Sequence, residues 1–436
     1  VRYIKSPANR KAEAENRAIR QQVEAMLSDI EKRREQAVID YARQLDGWDS
    51  TFVLSRSKLA TLIQDVPDQL RQDIHFAHRQ VARFAQAQRD SLSEFEMETE
   101  PGVILGQRII PVSAAGCYVP GGRYAHVASA IMSVATAKTA GVQGVIASSP
   151  PRGQSINPAT AYAMDISGAD IILEMGGVQA VATMAYGLFD CPQADILVGP
   201  GNAYVAEAKR ILFGKVGIDV FAGPTESAII ADDTADPMTI AIDLASQAEH
   251  GANSPVWLFT TSEAIGEAVA QLMPRVAADM PNASVVNAAW HDHGVIALCE
   301  SREEMAAISD QYAPEHVQVL ADDLPWWKGN LRNYGSLFLG EGSTVSHGDK
   351  CSGTNHILPT SGAGRYSGGL NVQKFLKILT YQELSPEANK TFSAVGSRLS
   401  RAEGMEGHAR ACDWRLHKYH PGTHWDFDVY EQKRYI

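Results

Sequence analysis

The sequence has no paired cysteines, no long apolar run, no excess of basic charge and no standard dinucleotide fingerprint. Its five cysteines (117, 191, 299, 351 and 412) are scattered, without a CxxC pair. An odd set without a framework argues against a disulfide scaffold and reads as reduced thiols in a cytoplasmic protein. No stretch approaches the roughly 20 apolar residues of a membrane-spanning helix. The opening Val1-Arg-Tyr-Ile-Lys5 has no signal-peptide core. The net charge is −12 and no basic stripe dominates, which argues against a nucleic-acid binder. An anionic small substrate stays open, because the charge of a pocket is independent of the total. There is no fixed-period repeat and no low-complexity tract. GxGxxG does not follow any candidate strand, so a dinucleotide would need another cradle.

What is present is an ordinary globular balance: 436 residues, 45% hydrophobic and 21% charged. The length suits roughly two to four domains. Residues 1–14 read as a polar N-terminal arm. Ile19, Val23, Met26 and Ile30 recur at helical spacing within 14–46, and 57–95 reads as further amphipathic helix broken at Pro67. From Pro101 the character changes. Short apolar runs at 103–105, 108–112, 114–118, 144–149, 170–174 and 195–198 alternate with helical stretches. This predicts a parallel α/β layer. A second alternation starts near Ser227-Ala-Ile-Ile-Ala231 and ends near Ser336-Leu-Phe-Leu339, and from about Arg365 the pattern is helical again.

Four segments carry candidate chemistry. Gln247-Ala-Glu-His250 ends an Ala/Leu-rich helix before Gly251; Gln247 and His250, three apart, share a face and offer an amide oxygen and an imidazole to a borderline metal such as zinc. The same residues also make a plain helix C-terminus, with His250 at the negative end of the dipole. Gly199-Pro-Gly-Asn202 follows a strand and opens a helix, a turn that lets a backbone approach phosphate or simply reverses the chain. Glu315-His316 places two proton-transfer groups side by side; they face one pocket only where the chain is irregular, and otherwise the segment is a solvated loop. The loop Ser346–His356 packs Asp349, Lys350, Cys351, Asn355 and two histidines into eleven residues. Such a loop is costly to bury unless it binds something or its polar groups are paired. Asp349 is a candidate metal carboxylate, and Cys351 reads better as a small loop residue than as a nucleophile.

Seven motifs in order carry a resemblance. They are Tyr118-Val-Pro-Gly-Gly122, Gly199-Pro-Gly-Asn-Ala-Tyr-Val-Ala-Glu-Ala-Lys209, Ala222-Gly-Pro-Thr-Glu226, Ser246-Gln-Ala-Glu-His250, Ala313-Pro-Glu-His316, Gly348-Asp349 with Gly353-Thr-Asn-His-Ile-Leu-Pro-Thr360, and Glu403 through His408. Together they resemble the histidinol dehydrogenase family over roughly residues 15–420. The resemblance implies a zinc site of Gln247, His250, Asp349 and His408, with His408 supplied by the partner subunit of an intertwined homodimer. It implies Glu315 and His316 as general acid/base residues, and Tyr118, Gln179 and Asn202 as NAD contacts. It implies substrate contacts from Thr225, Gln247, His250, His316, Asp349, Glu403 and His408. The chemistry implied is a four-electron, two-NAD oxidation of a primary alcohol through an aldehyde to a carboxylate.

The expected fold is two incomplete Rossmann-like α/β domains, one inserted in the other, with small helical ends. Residues 15–117 and 227–364 would form one core, 118–226 the inserted NAD-binding domain, and 365–436 a C-terminal dimerisation segment. Three departures bear on the substrate. Thr225 replaces the usual Ser, Lys350 replaces the usual Tyr beside Asp349, and Arg123-Tyr-Ala-His126 replaces small residues after Pro-Gly-Gly. Added Lys350, Arg123 and His126 near the cleft favour an anionic substrate group. The departures resemble the branch of the family that oxidises 2,3-dihydroxypropane-1-sulfonate to sulfolactate. Oxidation of histidinol itself, and zinc-dependent hydrolysis with Glu315 as base, stay open as alternatives.

Overall fold

The computed structural model describes residues 1–8, 13–121, 124–220 and 223–425. The chain divides into two compact units, residues 1–90 with 111–375, and residues 91–110 with 376–436. The first unit contains two sheets.

The larger sheet has the order β1 (Arg2–Lys5), β11 (Val295–Leu298), β10 (Val256–Thr260), β9 (Ser227–Ala231), β12 (His316–Leu320), β13 (Ser336–Leu339). Strands β9 to β13 pair in parallel, and β1 joins antiparallel on β11. Ser-Ala-Ile-Ile-Ala and Val-Trp-Leu-Phe-Thr are buried at every position, as a parallel sheet covered on both faces requires. One face packs Ile229, Leu258, Ile296 and Leu320 under the helices Pro237–Ala248, Glu263–Ala278 and Ala283–His293. The other packs Phe259, Val317 and Val319 against the helices Arg302–Tyr312 and Leu324–Asn330. The polar stretch expected as an arm thus contributes an edge strand, anchored where Lys5 Nζ donates to the Gly294 carbonyl at 2.8 Å.

The second sheet has the order β6 (Ile171–Glu174), β5 (Gly144–Ser149), β4 (Ala114–Tyr118), β7 (Ile196–Val198), β8 (Gly217–Ile218), and all its pairs are parallel. The Val127–Ala140 helix is built from Ala, Ser, Thr, Val, Ile, Met and a single Lys and is buried nearly all round. Its small side chains let neighbouring elements approach closely. The contacts differ from the division expected at residue 118. Strand β4 starts at Ala114 and is central to this second sheet. The apolar stripe of the Glu13–Arg33 helix (Val23, Met26, Ile30) packs with Val181, Met184, Val205 and Leu212, on the helices that flank the second sheet. The Glu13–Arg33 helix therefore goes with the five-stranded sheet, because that is where a matching apolar surface lies open.

The second unit holds the three-stranded sheet β14 (Leu376–Leu384), β3 (Val103–Pro111), β2 (Phe95–Glu100) and the helices Pro386–Ala402 and Glu406–Tyr419. Arg401 ties the two helices by a 2.6 Å ion pair to the buried Asp413. Two of its strands correct the sequence reading, which took Phe95 as a helix end and 376–384 as helical. Strand β2 is exposed at every position and β14 at most of them. Neither has the one-sided burial that makes alternation legible. Among the described residues no helix is long and apolar enough to cross a membrane.

Candidate active site

The first unit holds a cavity of about 580 Å³, within the size range of small-molecule sites. Pro120 and Asn202 reach it from just beyond the carboxyl ends of β4 and β7, while Thr225 and Glu315-His316 reach it where β9 and β12 begin. Pro120 and Asn202 thus stand where ligands of open α/β sheets gather, outside the carboxyl ends of strands.

The Pro237–Ala248 helix is started by Asp236, whose carboxylate accepts from Thr239 N at 2.9 Å, and by Pro237 in the first turn. Its C-terminal end delivers Gln247 and His250 to the cavity. Gln247 is 3% exposed and its Oε1 has no hydrogen-bond partner. A buried orphan acceptor calls for an explanation, and an ion is one. His250 is open to the cavity, and desolvation by the surrounding protein holds its imidazole below its ordinary range, which favours the neutral form with a lone pair to offer.

The polar loop is partly helical, Val345–Lys350, and buries Asp349. Burial opposes its charge, but the neighbouring His316 outweighs that and holds the carboxyl well below the usual range. The Asp349 Oδ1 to His316 Nε2 distance is 3.5 Å, too long for a strong hydrogen bond, and Nε2 is otherwise unpartnered. Gln247, His250 and Asp349 give the cavity one imidazole and several oxygen donors. Among the described residues, no three His, Cys, Asp or Glu side chains group closely enough to hold a metal ion.

Glu315 and His316 both face the cavity because the chain breaks ahead of them. Ala313 takes a left-handed conformation (φ 48°) after the Arg302–Tyr312 helix, and Pro314 follows. The backbone of Glu226 then fixes the pair. Glu226 N donates to Glu315 Oε2 at 3.0 Å, and His316 N donates to Glu226 O at 3.1 Å. His316 Nδ1 lies 3.7 Å from Glu315 Oε2. Burial pushes Glu315 up to about 8. Burial works against a charge on His316, but the Glu315 and Asp349 carboxylates outweigh it and raise the imidazole to about 9. Glu226 is itself pushed by burial to about 7.

The expected NAD contacts divide. Asn202 lines the cavity, and its Oδ1 caps the Ala203–Leu212 helix by accepting from Tyr204 N and Val205 N, both at 3.1 Å. The helix end read as a phosphate cradle is thus already capped. Tyr118 and Gln179 are buried away from the cavity lining. The Tyr118 hydroxyl accepts from Gly177 N at 3.2 Å, and Gln179 Nε2 donates to Asp46 at 2.8 Å. Thr225, His126 and Lys350 line the cavity. Lys350 is exposed at its edge. Burial, followed by His356, Lys350 and His250, pushes His126 down to about 4, so it offers a neutral imidazole rather than a positive charge. Arg123 lies outside the described residues. Glu403 and His408 are exposed residues of the second unit.

His356 and Ser129 are among the cavity residues given no role from sequence. His356 Nδ1 lies 2.9 Å from the Asp349 carbonyl, and its Nε2 lies 2.8 Å from Ser129 Oγ. The polar loop signalled His356. Ser129 sits in an Ala-rich helix and carries no signal.

The chain matches the histidinol dehydrogenase family model over residues 9–416 and belongs to that family. It is an oxidoreductase, a dehydrogenase of this family. Among its relatives, the sulfopropanediol 3-dehydrogenase of Ruegeria pomeroyi is 53% identical, with 98% of each chain covered. A histidinol dehydrogenase homolog of the same organism is 56% identical over 92% of this chain and 93% of that one. The crystal structure of histidinol dehydrogenase from Elizabethkingia anophelis superposes with a TM-score of 0.87 at 32% identity, covering 95% of this chain and 94% of that one.

Proposed function

We propose that this enzyme oxidises 2,3-dihydroxypropane-1-sulfonate to 3-sulfolactate in two NAD-dependent steps at a zinc site. The observation that carries the reading is the convergence of Gln247, His250, Glu315, His316 and Asp349 on one cavity, with Lys350 at its edge. The similarity to a sulfopropanediol 3-dehydrogenase over nearly the whole chain supports the substrate.

Gln247, His250 and Asp349 suit zinc: the amide has an unused buried oxygen, the imidazole is neutral and the carboxyl is held ionised. His408 of a second copy would complete four ligands. Zinc held there would supply Lewis-acid polarisation of the substrate oxygen and take over part of the Asp349 charge. NAD, when bound, accepts one hydride in each step.

His316 acts from its deprotonated form, which gains as the pH rises toward about 9 and which a cation beside Asp349 would favour. It takes the hydroxyl proton as the alcohol carbon loses hydride, which gives the aldehyde, NADH and protonated His316. Glu315, which burial sets near 8, acts in its ionised form and draws a proton from water as the water adds to the aldehyde, while His316 returns its proton to the aldehyde oxygen; this gives the hydrate and frees His316. His316 takes a hydroxyl proton from the hydrate as the second hydride leaves, which gives the carboxylic acid and a second NADH. The acid ionises to the carboxylate. Burial of both groups keeps bulk water from competing for these protons. At the anionic end of the substrate, Lys350 supplies the charge and His126 a neutral N–H. The Val127–Ala140 helix supports them: its first turn lines the cavity and no side chain caps it. Arg123 is the third candidate for this end. Asn202 serves the nucleotide from the cavity lining, Tyr118 and Gln179 would support it only from behind that lining, and Thr225 and Glu403 serve the substrate. The exposed apolar residues of the second unit, among them Ile378, Leu379, Phe392, Val395 and Leu399, suit an intertwined homodimer.

The deciding experiment is NADH production by zinc-loaded enzyme with the sulfonate and with histidinol, counted per substrate molecule. Two NADH from the sulfonate and none from histidinol is the expected result. Turnover of histidinol alone removes the sulfonate assignment.

A further inference from the structure

The residues proposed above as metal ligands in this unit, and His316 between them, sit on three separate elements. One carboxylate behind them ties these elements together. Asp243 lies on the Pro237–Ala248 helix one turn before Gln247, which places the two on one helical face, and His250 follows just beyond the helix end. Its Oδ2 accepts from Gln318 Nε2 at 2.7 Å. Gln318 is fully buried and lies two residues after His316 in β12, so both side chains leave the same face of the strand. Its Oδ1 accepts from Thr344 Oγ1 at 3.0 Å. Thr344 is the N-cap residue of the Val345–Lys350 helix that carries Asp349, yet its side chain makes no capping bond to that helix. The hydroxyl is committed to Asp243 instead.

Asp243 is half-buried, at the border of the core. The helix neighbours Ala241, Leu244 and Ala245 are fully buried apolar residues packed in the core. Two donors arrive from two different elements, and a carboxylate has an acceptor for each. The bonds run through rigid parts: a helix interior, a central strand and a helix start. A shift of any one element would break a charge-assisted bond.

We propose that Asp243 is a positioning residue for the metal centre, holding Gln247, His316 and Asp349 in one arrangement through Gln318 and Thr344. It touches neither metal nor substrate. The inference rests on the metal reading above.

The test is zinc affinity, measured by competition with a chromophoric chelator, with the melting temperature of metal-free protein recorded beside it. The full-length native enzyme and His250→Ala set the frame. If the native enzyme binds no zinc, or His250→Ala binds it as tightly, the metal reading falls and this inference with it. If the frame holds, Asp243→Ala and Thr344→Val are each expected to weaken zinc binding by about tenfold or more, the scale of supporting contacts behind metal ligands. The double variant should be no weaker than Asp243→Ala alone, because both changes break one shared contact. Zinc affinity within about twofold of native in Asp243→Ala overturns the proposal, whether or not the melting temperature falls. If Asp243→Ala does not fold, Thr344→Val decides alone, since it removes only a hydroxyl: affinity within about twofold of native then overturns the proposal.

Discussion

His356 holds the backbone of Asp349. Its Nδ1 stands 2.9 Å from the Asp349 carbonyl oxygen. A carbonyl only accepts, so Nδ1 carries the proton and Nε2 is left to accept from Ser129 Oγ at 2.8 Å. One tautomer is thereby set, and the Val127–Ala140 helix is coupled to the turn that presents Asp349. Replacing His356 by Ala should loosen that turn and weaken zinc binding by roughly ten- to a hundredfold. Ser129→Ala removes only the outer bond and should have a smaller effect of the same sign. Chelator competition on the two variants checks the order; equal affinities in both and in the native enzyme would remove the link.

Glu315 is expected to act on the second oxidation more than the first. Its carboxylate is held over the cavity by Glu226 N and beside His316. Glu315→Gln keeps the shape but loses the proton acceptor. Hydration of the aldehyde should slow by roughly 10²- to 10⁴-fold, the usual worth of a positioned acid/base group. The NADH yield should then fall from two toward one per substrate molecule while a trapping amine captures aldehyde. An unchanged yield with no trapped aldehyde would assign water activation elsewhere.

Much of this architecture is legible in the residues themselves. The strands and helices of both α/β layers show as apolar runs alternating with helical periodicity. The Gln247/His250 spacing and the density of polar residues around Asp349 mark two walls of the cavity. Other features leave no local trace. That Asp243, Gln318 and Thr344 meet is a matter of tertiary contact between elements, the two partners lying 75 and 101 residues from Asp243. Gln179 shows its buried bond to Asp46 only once the Ala42–Asp46 turn is placed beside it. Phe95 at the start of β2 and the whole of β14 read as helix because exposed positions on both faces erase the period-two pattern. The Glu13–Arg33 helix reveals an apolar stripe but not which sheet receives it.

Lys350 should govern the binding of a charged substrate. It is exposed on the cavity edge, where His126 is neutral. A charged donor to an anion contributes about 1.5–3 kcal/mol, so Lys350→Met should raise KM for the sulfonate by roughly ten- to a hundredfold, with kcat much less affected. Steady-state kinetics over a range of salt concentrations would show the native KM rising with salt and the variant's KM nearly flat. A variant KM equal to native at low salt would make Lys350 a solvated surface charge.

The turn that carries Asn202 rests on a buried ion pair. Lys209 bonds to Asp219 and donates to the Gly199 carbonyl at 2.9 Å, while Gly199 N donates to Asp219 at 2.7 Å. Gly199 has a φ of +117°, and a Cβ there would collide with the Tyr118 carbonyl oxygen. Lys209→Met leaves Asp219 buried without its cation and should cost about 3–5 kcal/mol in urea unfolding. Changing Lys209 to Met and Asp219 to Leu together should recover much of that loss, because no buried charge is left. A single variant as stable as native would show that water reaches Asp219.

His408 offers the sharpest test of the assembly. It is an exposed residue of the second unit, whereas His316 lines the cavity of the first. If each site combines His316 of one chain with His408 of another, His408→Ala and His316→Ala homodimers are both inactive. A mixed dimer then has one intact site and one doubly damaged site. Unfolding and refolding the two variants together gives about half mixed dimers by random pairing, and so roughly a quarter of native activity. The recovered activity should depend on the mixing ratio and peak at equal amounts. If verified mixed dimers, separated by two different affinity tags, have no activity above the parents, each chain builds its site alone and the fourth ligand must be sought within one subunit.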